Sequence, residues 1–230
     1  MLADDMIERR SYESMHALAA AFADFAASIL RNALMQNNTA SLVVPGGQTP
    51  RDYLPALSRQ TLPWENIYIT LSDERWVETQ ANASNERLVR NCFLKEMAEK
   101  AHFIGLKTMH SHPSQALATV HERLSQLPWP FSLTVLGLGE DGHIASLFPG
   151  AAPNQVTLYL CQAVEPPIAP SLRISLTLQA LARSRHIALV VTGIAKRQLL
   201  DQLIKNPDPS IPFVQLVQQS QSPITIFEMD

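Results

Sequence analysis

The amino-acid sequence predicts an α/β fold in three layers, with a mainly parallel sheet flanked by helices. Two observations support this prediction. Short apolar runs typical of buried strands alternate along the chain with longer segments whose apolar residues recur at helical spacing. Polar or glycine-bearing loops follow the apolar runs, as they do where a strand leads into a helix. The expected arrangement is Rossmann-like, and we expect residues 1–230 to form one domain.

The predicted elements follow this alternation from one end of the chain to the other. A long amphipathic helix is predicted from about Ser11 to Met35, ended by Asn37-Asn38-Thr39. The other helices are predicted after Pro50, from Ser84-Asn85 to roughly Lys100, over 114–126, after Thr177, and around Lys196 to near Leu203. The predicted strands are 41–44, 67–71, 102–106, 133–136, 155–162, 173–177, 186–191 and 224–227.

Composition and charge argue against several classes of protein. The net charge of −3 and the pI near 6.2 argue against a general nucleic-acid-binding protein. The two cysteines, Cys92 and Cys161, provide neither a disulfide framework nor a metal pair. The first ten residues do not form a signal peptide, and no apolar run approaches the roughly 20 residues of a membrane span. We therefore expect a cytoplasmic monomer or small homo-oligomer without nucleic-acid or membrane partners.

The loop Pro45-Gly-Gly-Gln-Thr-Pro50 follows the first predicted strand. Thr49 suits a helix N-cap, and Pro50 suits the first helical position. Gly46 and Gly47 allow the backbone to wrap an anion, and a helix N-terminus with spare N–H donors binds phosphate readily. A simple strand-to-helix turn, which every α/β protein needs, explains the same residues. The spacing alone leaves these two interpretations open.

Charged residues follow two other predicted strands. Asp73, Glu74 and Arg75 come directly after the strand at 67–71, where open parallel sheets form their ligand clefts. Of these three, Glu74 is the residue most expected to lie in solvent. Lys196 lies in a first helical turn, where the helix dipole disfavours a cation unless an anion binds there. If the strand ends share one rim of the sheet, a single pocket collects Arg75 and Lys196 with the loop at 45–50.

The stretch 133–150 follows an apolar strand with three glycines, two acids and His143, which can exchange a proton near neutral pH. Its Gly137-x-Gly-x-x-Gly142 pattern resembles a dinucleotide-binding loop, but Pro149 interrupts the helix that such a loop must open. Ser146 lacks a G-x-S-x-G elbow, so a nucleophilic serine is not expected. Our working hypothesis is that this loop holds His143 as the catalytic base of an enzyme acting on a small phosphorylated sugar.

Five motifs cover most of the chain: PGGQTP at 45–50, SDERWV at 72–77 with Ser84-Asn85, GLGEDGHIASLFP at 137–149, RISLT at 173–177 and TGIAK at 192–196. In this order they resemble the glucosamine-6-phosphate isomerase/6-phosphogluconolactonase superfamily. Deaminases of the superfamily carry an acid immediately before the proline of the third motif. This chain has Phe148 there, so the resemblance is closer to the lactonases. Gln48 and Ile144 depart from the serine and threonine that the family often has.

The resemblance implies hydrolysis of 6-phospho-D-glucono-1,5-lactone to 6-phospho-D-gluconate, a step of the oxidative pentose phosphate pathway, without metal or organic cofactor. It implies that neutral His143 activates water and that Asp141 or Asp73 orients the imidazole. Arg75 would hold substrate oxygens or stabilise the developing oxyanion. The residues implied to bind the phosphate are Gly46, Gly47, Gln48, Thr49, Arg173 and Lys196.

Two other functions remain open on the sequence alone. The first is a glucosamine-6-phosphate deaminase or isomerase, which the same superfamily contains. The second is a non-catalytic sugar-phosphate sensor that retains the pocket but needs no base. His110 and His112 are expected to be exposed loop residues and not metal ligands.

Overall fold

Seven strands form the central sheet of the protein. The computed structural model describes residues 6–150, 158–166 and 172–230. All neighbouring strands of the described sheet are parallel. The strands are β1 (Ile7–Tyr12), β2 (Ala40–Val44), β3 (Ile67–Leu71), β5 (His102–Ile104), β6 (Leu133–Gly137), β9 (Ile187–Thr192) and β10 (Ile224–Met229).

Helices flank this sheet, which confirms the predicted α/β class. Apolar side chains from both sheet and helices form the core, with Leu42, Ile69 and Val135 fully buried in the strands. Burying one such side chain stabilises the fold by about 1.5–3 kcal/mol. The helices are α1 (Met15–Asn37), α2 (Pro50–Ser58), α3 (Asn85–Cys92), α4 (Leu117–Ser125), α5 (Leu178–Ala182), α6 (Ile194–Lys205) and α7 (Pro212–Gln219).

The strand order places a topological switch between β2 and β6. Across the sheet the order is β1-β10-β9-β6-β2-β3-β5. From β2 the chain continues outward through β3 and β5, returns to β6 on the other side of β2, and then proceeds to β9 and β10. In open parallel sheets, ligands bind outside the carboxyl ends of the strands at such a switch. The loops that follow β2 and β6 therefore lie where a ligand site is expected.

A second sheet of three antiparallel strands lies outside the central sheet. Its order is β4 (Asp73–Arg75), β8 (Arg173–Leu176) and β7 (Cys161–Val164). The segment 72–77, predicted as a loop, thus contributes a strand whose Arg75 lies opposite Arg173. Of the strand predicted at 155–162, residues 155–157 lie outside the described residues, and β7 begins only at Cys161.

The first helix begins later than predicted. Ser11 belongs to β1, and Ser14 caps α1 by accepting a hydrogen bond from the N–H of Ala17 (3.2 Å). At the other end Asn38 adopts a left-handed conformation (φ 59°), as the predicted stop requires. Among the residues that the structure describes, α1 is the one helix long and apolar enough to cross a membrane, contrary to the expectation that no apolar run approaches that length. Because 56% of its apolar window is buried in the fold, α1 is only weak evidence of a membrane span.

Glu74 is buried, and the expectation that it lies in solvent is wrong. Its carboxylate accepts hydrogen bonds from the backbone N–H groups of Arg75 and Asn85 (both 2.7 Å) and Glu86 (2.8 Å), and from the Ser84 hydroxyl (3.0 Å). Burial raises the pKa of Glu74, and these hydrogen bonds oppose that effect. A carboxylate at a helix N-terminus satisfies N–H groups that have no partner within the helix. Glu74 therefore joins β4 to the start of α3.

Two further helical predictions needed correction. The helix predicted to reach Lys100 ends at Cys92, and a short 3-10 turn over Glu96–Lys100 follows it. The segment before β10, for which the sequence analysis predicted no helix, contains the helix α7. Pro212 occupies the first helical turn of α7, where a missing N–H has no cost.

Candidate active site

A cavity of about 550 Å³ lies at the carboxyl ends of β2, β3, β6 and β9. This size falls within the range of small-molecule sites. The four loops that the sequence singled out all contribute to its wall, so the expectation of one shared rim agrees with the structure. Every predicted site residue lines the cavity: Gly46, Gly47, Gln48, Thr49, Asp73, Arg75, Asp141, His143, Arg173 and Lys196. Their functional roles remain predictions.

The loop after β2 offers backbone donors to the cavity. Within the described residues, the N–H groups of Gly46, Gly47, Gln48 and Thr49 donate to no protein acceptor. Gly47 has a φ of +100°, a backbone conformation that residues other than glycine rarely adopt. A bound phosphate can accept from such N–H groups just ahead of α2.

Thr49 does not cap α2 with its side chain, contrary to the prediction. Its backbone is already helical (φ −54°, ψ −37°), and no side-chain cap hydrogen bond forms. Pro50 does occupy the first helical position, as predicted. The Thr49 hydroxyl lies instead 3.4 Å from the hydroxyl of Thr192, at the end of β9. This contact joins the two loops predicted to bind phosphate.

Gly46 packs directly against Asn85, a residue that the sequence identified only as the start of a helix. A Cβ at position 46 would lie 1.9 Å from the Asn85 Oδ1 atom. Asn85 donates from Nδ2 to the carbonyl oxygen of Asp73 (2.9 Å). Asn85 thereby ties the loop after β2 to β4, and the Ser84-Asn85 motif was the signal that could have indicated this.

Replacing Gly46 by alanine is expected to weaken substrate binding. Because the new methyl group must displace the Asn85 amide or the loop itself, we expect KM to rise about tenfold or more with a smaller change in kcat. Steady-state kinetics measure the effect. Gly137→Ala is the comparison variant: Gly137 lines the same cavity, but a Cβ there meets no atom within 4 Å, so the variant adds a methyl group without a clash. An unchanged KM in the Gly46 variant would show that the loop shape does not matter for binding.

His143 is held by Asp141 in the loop after β6. The His143 Nδ1 atom lies 2.6 Å from Asp141 Oδ1, and the same oxygen accepts from the His143 backbone N–H (3.1 Å). Burial opposes the ionisation of Asp141, but these hydrogen bonds and the charge of His143 outweigh it and lower the pKa of Asp141. A carboxylate on Nδ1 favours the tautomer with its proton there, which leaves Nε2 free to accept one.

The glycines of this loop bring the imidazole against the backbone. A Cβ on Gly139 would lie 2.0 Å from His143 Nδ1, so only glycine permits the observed ring position. Gly142 adopts a φ of +84°. On its other side the His143 ring contacts Phe148, with ring centroids 4.9 Å apart.

Asp73 is buried and does not contact His143. Its Oδ2 atom accepts from the Ser146 hydroxyl (2.6 Å), and Oδ1 accepts from Ser72 (3.2 Å). Of the two acids considered as partners of the imidazole, Asp141 alone forms the hydrogen bond. Ser146 contributes to the site as a buried hydrogen-bonding residue, which the sequence did not indicate.

Two arginines on neighbouring strands line the cavity. Arg75 donates from Nη1 to the Ala83 carbonyl (2.9 Å), and Arg173 donates from Nη1 to Ser146 (3.2 Å). The buried Nε atoms of both arginines have no protein partner among the described residues. Burial and the nearby charge of Arg75 lower the pKa of Arg173, and Asp73 opposes them. The two neighbouring guanidinium groups favour an anion locally, although the acidic side chains and the Arg and Lys side chains that line the whole cavity are equal in number.

Lys196 occupies the first turn of α6, as predicted. It is half-buried and forms no hydrogen bond or ion pair with any residue that the structure describes. Gly193, with a φ of +94°, turns the chain into this helix from the end of β9. A cation at this position is compatible with a helix N-terminus when an anion lies between them.

His110 and His112 lie outside this cavity and are exposed, as expected. Among the described residues, no group of three or more His, Cys, Asp or Glu side chains is arranged to hold a metal ion.

Comparison with known proteins identifies the family. The family model described as glucosamine-6-phosphate isomerases/6-phosphogluconolactonase matches residues 13–226. The chain belongs to this family. A 6-phosphogluconolactonase of Rhizobium meliloti is 33% identical over 222 residues, which cover 94% of this chain and 96% of that protein. One of Caulobacter vibrioides is 38% identical over 215 residues, covering 88% and 90%.

A solved structure shows the same fold over the whole chain. The crystal structure of a 6-phosphogluconolactonase from Shewanella baltica OS155 aligns with a TM-score of 0.95 and 38% sequence identity, covering 100% of both chains. The family assignment and the fold predicted from the sequence are therefore confirmed.

Proposed function

We propose that the chain is a 6-phosphogluconolactonase, which hydrolyses 6-phospho-D-glucono-1,5-lactone to 6-phospho-D-gluconate in the oxidative pentose phosphate pathway. The observation that carries this proposal is one cavity in which an imidazole oriented by a carboxylate faces a set of cations and free N–H donors. The lactonase names of the similar proteins support it.

The substrate phosphate binds at the loop after β2 in this proposal. Its oxygens accept from the N–H groups of 46–49, and Lys196 lies across the Thr49–Thr192 contact from them. Hydrogen bonds between ionised groups are shorter and stronger than neutral ones, so this end of the cavity selects a dianionic group. Because the phosphate is bound away from the reacting carbonyl, its binding holds the lactone ring in the position needed for reaction.

His143 acts as the general base. Neutral His143 takes a proton from water at Nε2 while the water oxygen bonds to the lactone carbonyl carbon, and the carbonyl electron pair moves onto its oxygen. The hydrogen bond to Asp141 keeps the other imidazole proton on Nδ1, and the carboxylate stabilises the imidazolium that forms. The tetrahedral intermediate then reforms the carbonyl and breaks the bond to the ring oxygen, which receives the proton from Nε2. The acid product loses its own proton to solvent.

Arg75 stabilises the negative charge that develops on the carbonyl oxygen. Arg75 lines the cavity, and its Nη2 atom donates to no acceptor among the described residues. A cation already positioned at the developing charge costs no reorganisation during the reaction. Arg173, opposite it on β8, adds positive charge for the phosphate or the sugar oxygens.

Phe148 favours hydrolysis over deamination. The deaminases of the family carry an acid at this position, which could exchange protons with the amino sugar. Here the aromatic ring packs 4.9 Å from the His143 ring, and the Arg173 guanidinium lies 5.6 Å from its centroid. The position next to the imidazole is thus filled by an apolar group that transfers no proton.

One pair of assays tests the proposed function. We expect acid release from freshly made 6-phospho-D-glucono-1,5-lactone, followed at constant pH, well above the spontaneous rate. We expect no ammonia release from glucosamine 6-phosphate. Ammonia without acid would establish the deaminase instead. Binding of 6-phosphogluconate with no hydrolysis above the spontaneous rate would establish the sensor.

A further inference from the structure

Ser146 lies between the buried carboxylate of Asp73 and the guanidinium of Arg173. The side chain is fully buried. Its hydroxyl donates to Asp73 Oδ2 (2.6 Å) and accepts from Arg173 Nη1 (3.2 Å). A serine hydroxyl has one donor and two acceptor positions, so both contacts form at once. The hydroxyl therefore links the two charged groups.

The direct contact between these two charged groups is too long for a hydrogen bond. Arg173 Nη1 lies 3.9 Å from Asp73 Oδ2, beyond the usual limit of about 3.2 Å for such a bond. The connection that fixes the guanidinium therefore runs through the Ser146 oxygen. The backbone N–H of Ser146 also donates to the Ser175 hydroxyl (3.2 Å) on β8, next but one to Arg173.

Asp73 is engaged on both carboxylate oxygens. Oδ2 accepts from Ser146, and Oδ1 accepts from the Ser72 hydroxyl (3.2 Å) and more weakly from Asn85 Nδ2 (3.4 Å). A buried carboxylate whose two oxygens both accept hydrogen bonds is held in one orientation. This arrangement assigns Asp73 to anchoring and not to proton transfer.

Arg173 is anchored at one nitrogen only. Its Nη1 contacts Ser146, whereas neither Nε nor Nη2 donates to an acceptor among the described residues. The guanidinium also lies over the Phe148 ring, which packs against His143. Fixing Nη1 therefore sets where the remaining donors of Arg173 lie in the cavity.

We propose that Ser146 is a positioning residue that holds Arg173 for the substrate anion by bridging it to Asp73. Ser146 touches no reacting atom and acts through Arg173. The inference rests on the proposed function for its kinetic readout, and it deepens that function by adding a residue that sets substrate affinity. Ser146 lies three residues after His143 in the sequence. Its backbone hydrogen bond to Ser175 therefore also attaches the loop that carries His143 to the second sheet.

Ser146→Ala is expected to raise KM about 10-fold to 100-fold with kcat changed by no more than about threefold, as for a lost hydrogen bond to a charged group. The affinity for inorganic phosphate, measured by calorimetry, is expected to fall as well. Ser184→Ala is the matched control. Its buried hydroxyl also makes two hydrogen bonds, to Thr134 and the Leu181 carbonyl (both 2.7 Å), but these partners do not line the cavity, whereas both partners of the Ser146 hydroxyl do.

A double-mutant cycle separates positioning from a general loss of packing. If Ser146 acts through Arg173, Ser146→Ala has no further effect on KM in the Arg173→Ala background. The proposal is overturned if the fold-change in KM of the double variant equals the product of the fold-changes of the two single variants. An unchanged KM in Ser146→Ala also overturns it. Ser146→Cys keeps a side chain of similar size, but its thiol is a weaker hydrogen-bond donor than the hydroxyl. We expect its KM to lie between those of the wild type and Ser146→Ala, and this variant replaces Ser146→Ala in the test if the alanine variant does not fold.

The proposed function can fail independently of this inference. Absence of lactone hydrolysis by the unsubstituted protein would overturn the function alone. The same cycle measured as affinity for inorganic phosphate would still decide the role of Ser146, because that measurement needs no turnover.

Discussion

His143→Ala is expected to lower kcat for lactone hydrolysis by about 10²–10⁴-fold, the usual contribution of general acid–base catalysis. The imidazole is the group in the cavity that is oriented for proton transfer, through its 2.6 Å contact with Asp141. In the proposed function, substrate binding depends on the loop at 45–50 and the cations of the cavity, which the substitution leaves in place. We therefore expect the inhibition constant of 6-phosphogluconate to change by no more than about threefold.

The kinetics of His143→Ala are compared with those of His16→Ala. His16 lies exposed on α1, outside the cavity, so the same chemical change there should leave kcat unaltered. Hydrolysis of the lactone by the His143 variant at the wild-type rate would exclude the imidazole as the base. A large loss of 6-phosphogluconate affinity would show instead that the ring binds the substrate.

Asp141→Asn is expected to lower kcat by about 10²-fold or more, with KM little changed. An asparagine can turn its amide so that it donates to Nδ1, which leaves the proton on Nε2 and blocks acceptance from water. In hydrolases where a carboxylate sets the histidine tautomer, the amide substitution costs up to about 10⁴-fold. Since its pKa is lowered, Asp141 is ionised throughout the neutral range, and the effect should persist across that range.

Glu140→Gln provides the control for charge. Glu140 precedes Asp141 and lines the same cavity, but it forms no hydrogen bond or ion pair with a described residue. Both variants remove one negative charge from the loop, yet only one touches the imidazole. An equal loss of kcat in the two variants would mean that the loop charge matters and that the orientation of the ring does not.

The class of fold could be predicted because its signals are local. The apolar runs that form β2, β3, β6 and β9 are buried on both faces of the sheet. They can therefore be predicted as strands without knowing which strands they pair with. β1 could not be predicted in this way. Its Glu8, Arg9 and Arg10 suggest a solvated segment, and only pairing with β10 and the ion pair of Arg9 with Glu228 (2.6 Å) make it a strand.

The candidate site was predictable where it follows the rule that ligands bind at strand ends. The loops after β2 and β6 were identified because glycines and polar residues directly follow apolar runs. Asn85 and Ser146 were missed because their roles depend on contacts with Gly46 and with Arg173, which are distant in sequence. Glu74 was misjudged for the same reason, since its acceptor role depends on the start of α3.

The pairing of β1 with β10 has a consequence for how the chain can be made. Ser11 and Glu228, which share a hydrogen bond across this pair, are 217 residues apart in sequence. During synthesis β1 therefore lacks its β10 partner until Ile224–Met229 leaves the ribosome, and until then the adjoining face of α1 lacks the Phe227 ring against which Phe22 and Phe25 pack. Contacts of such long range slow folding and prolong the exposure of apolar surface. The nascent chain thus carries α1 incompletely covered while the residues between β1 and β10 are made, the period in which chaperone binding would protect it.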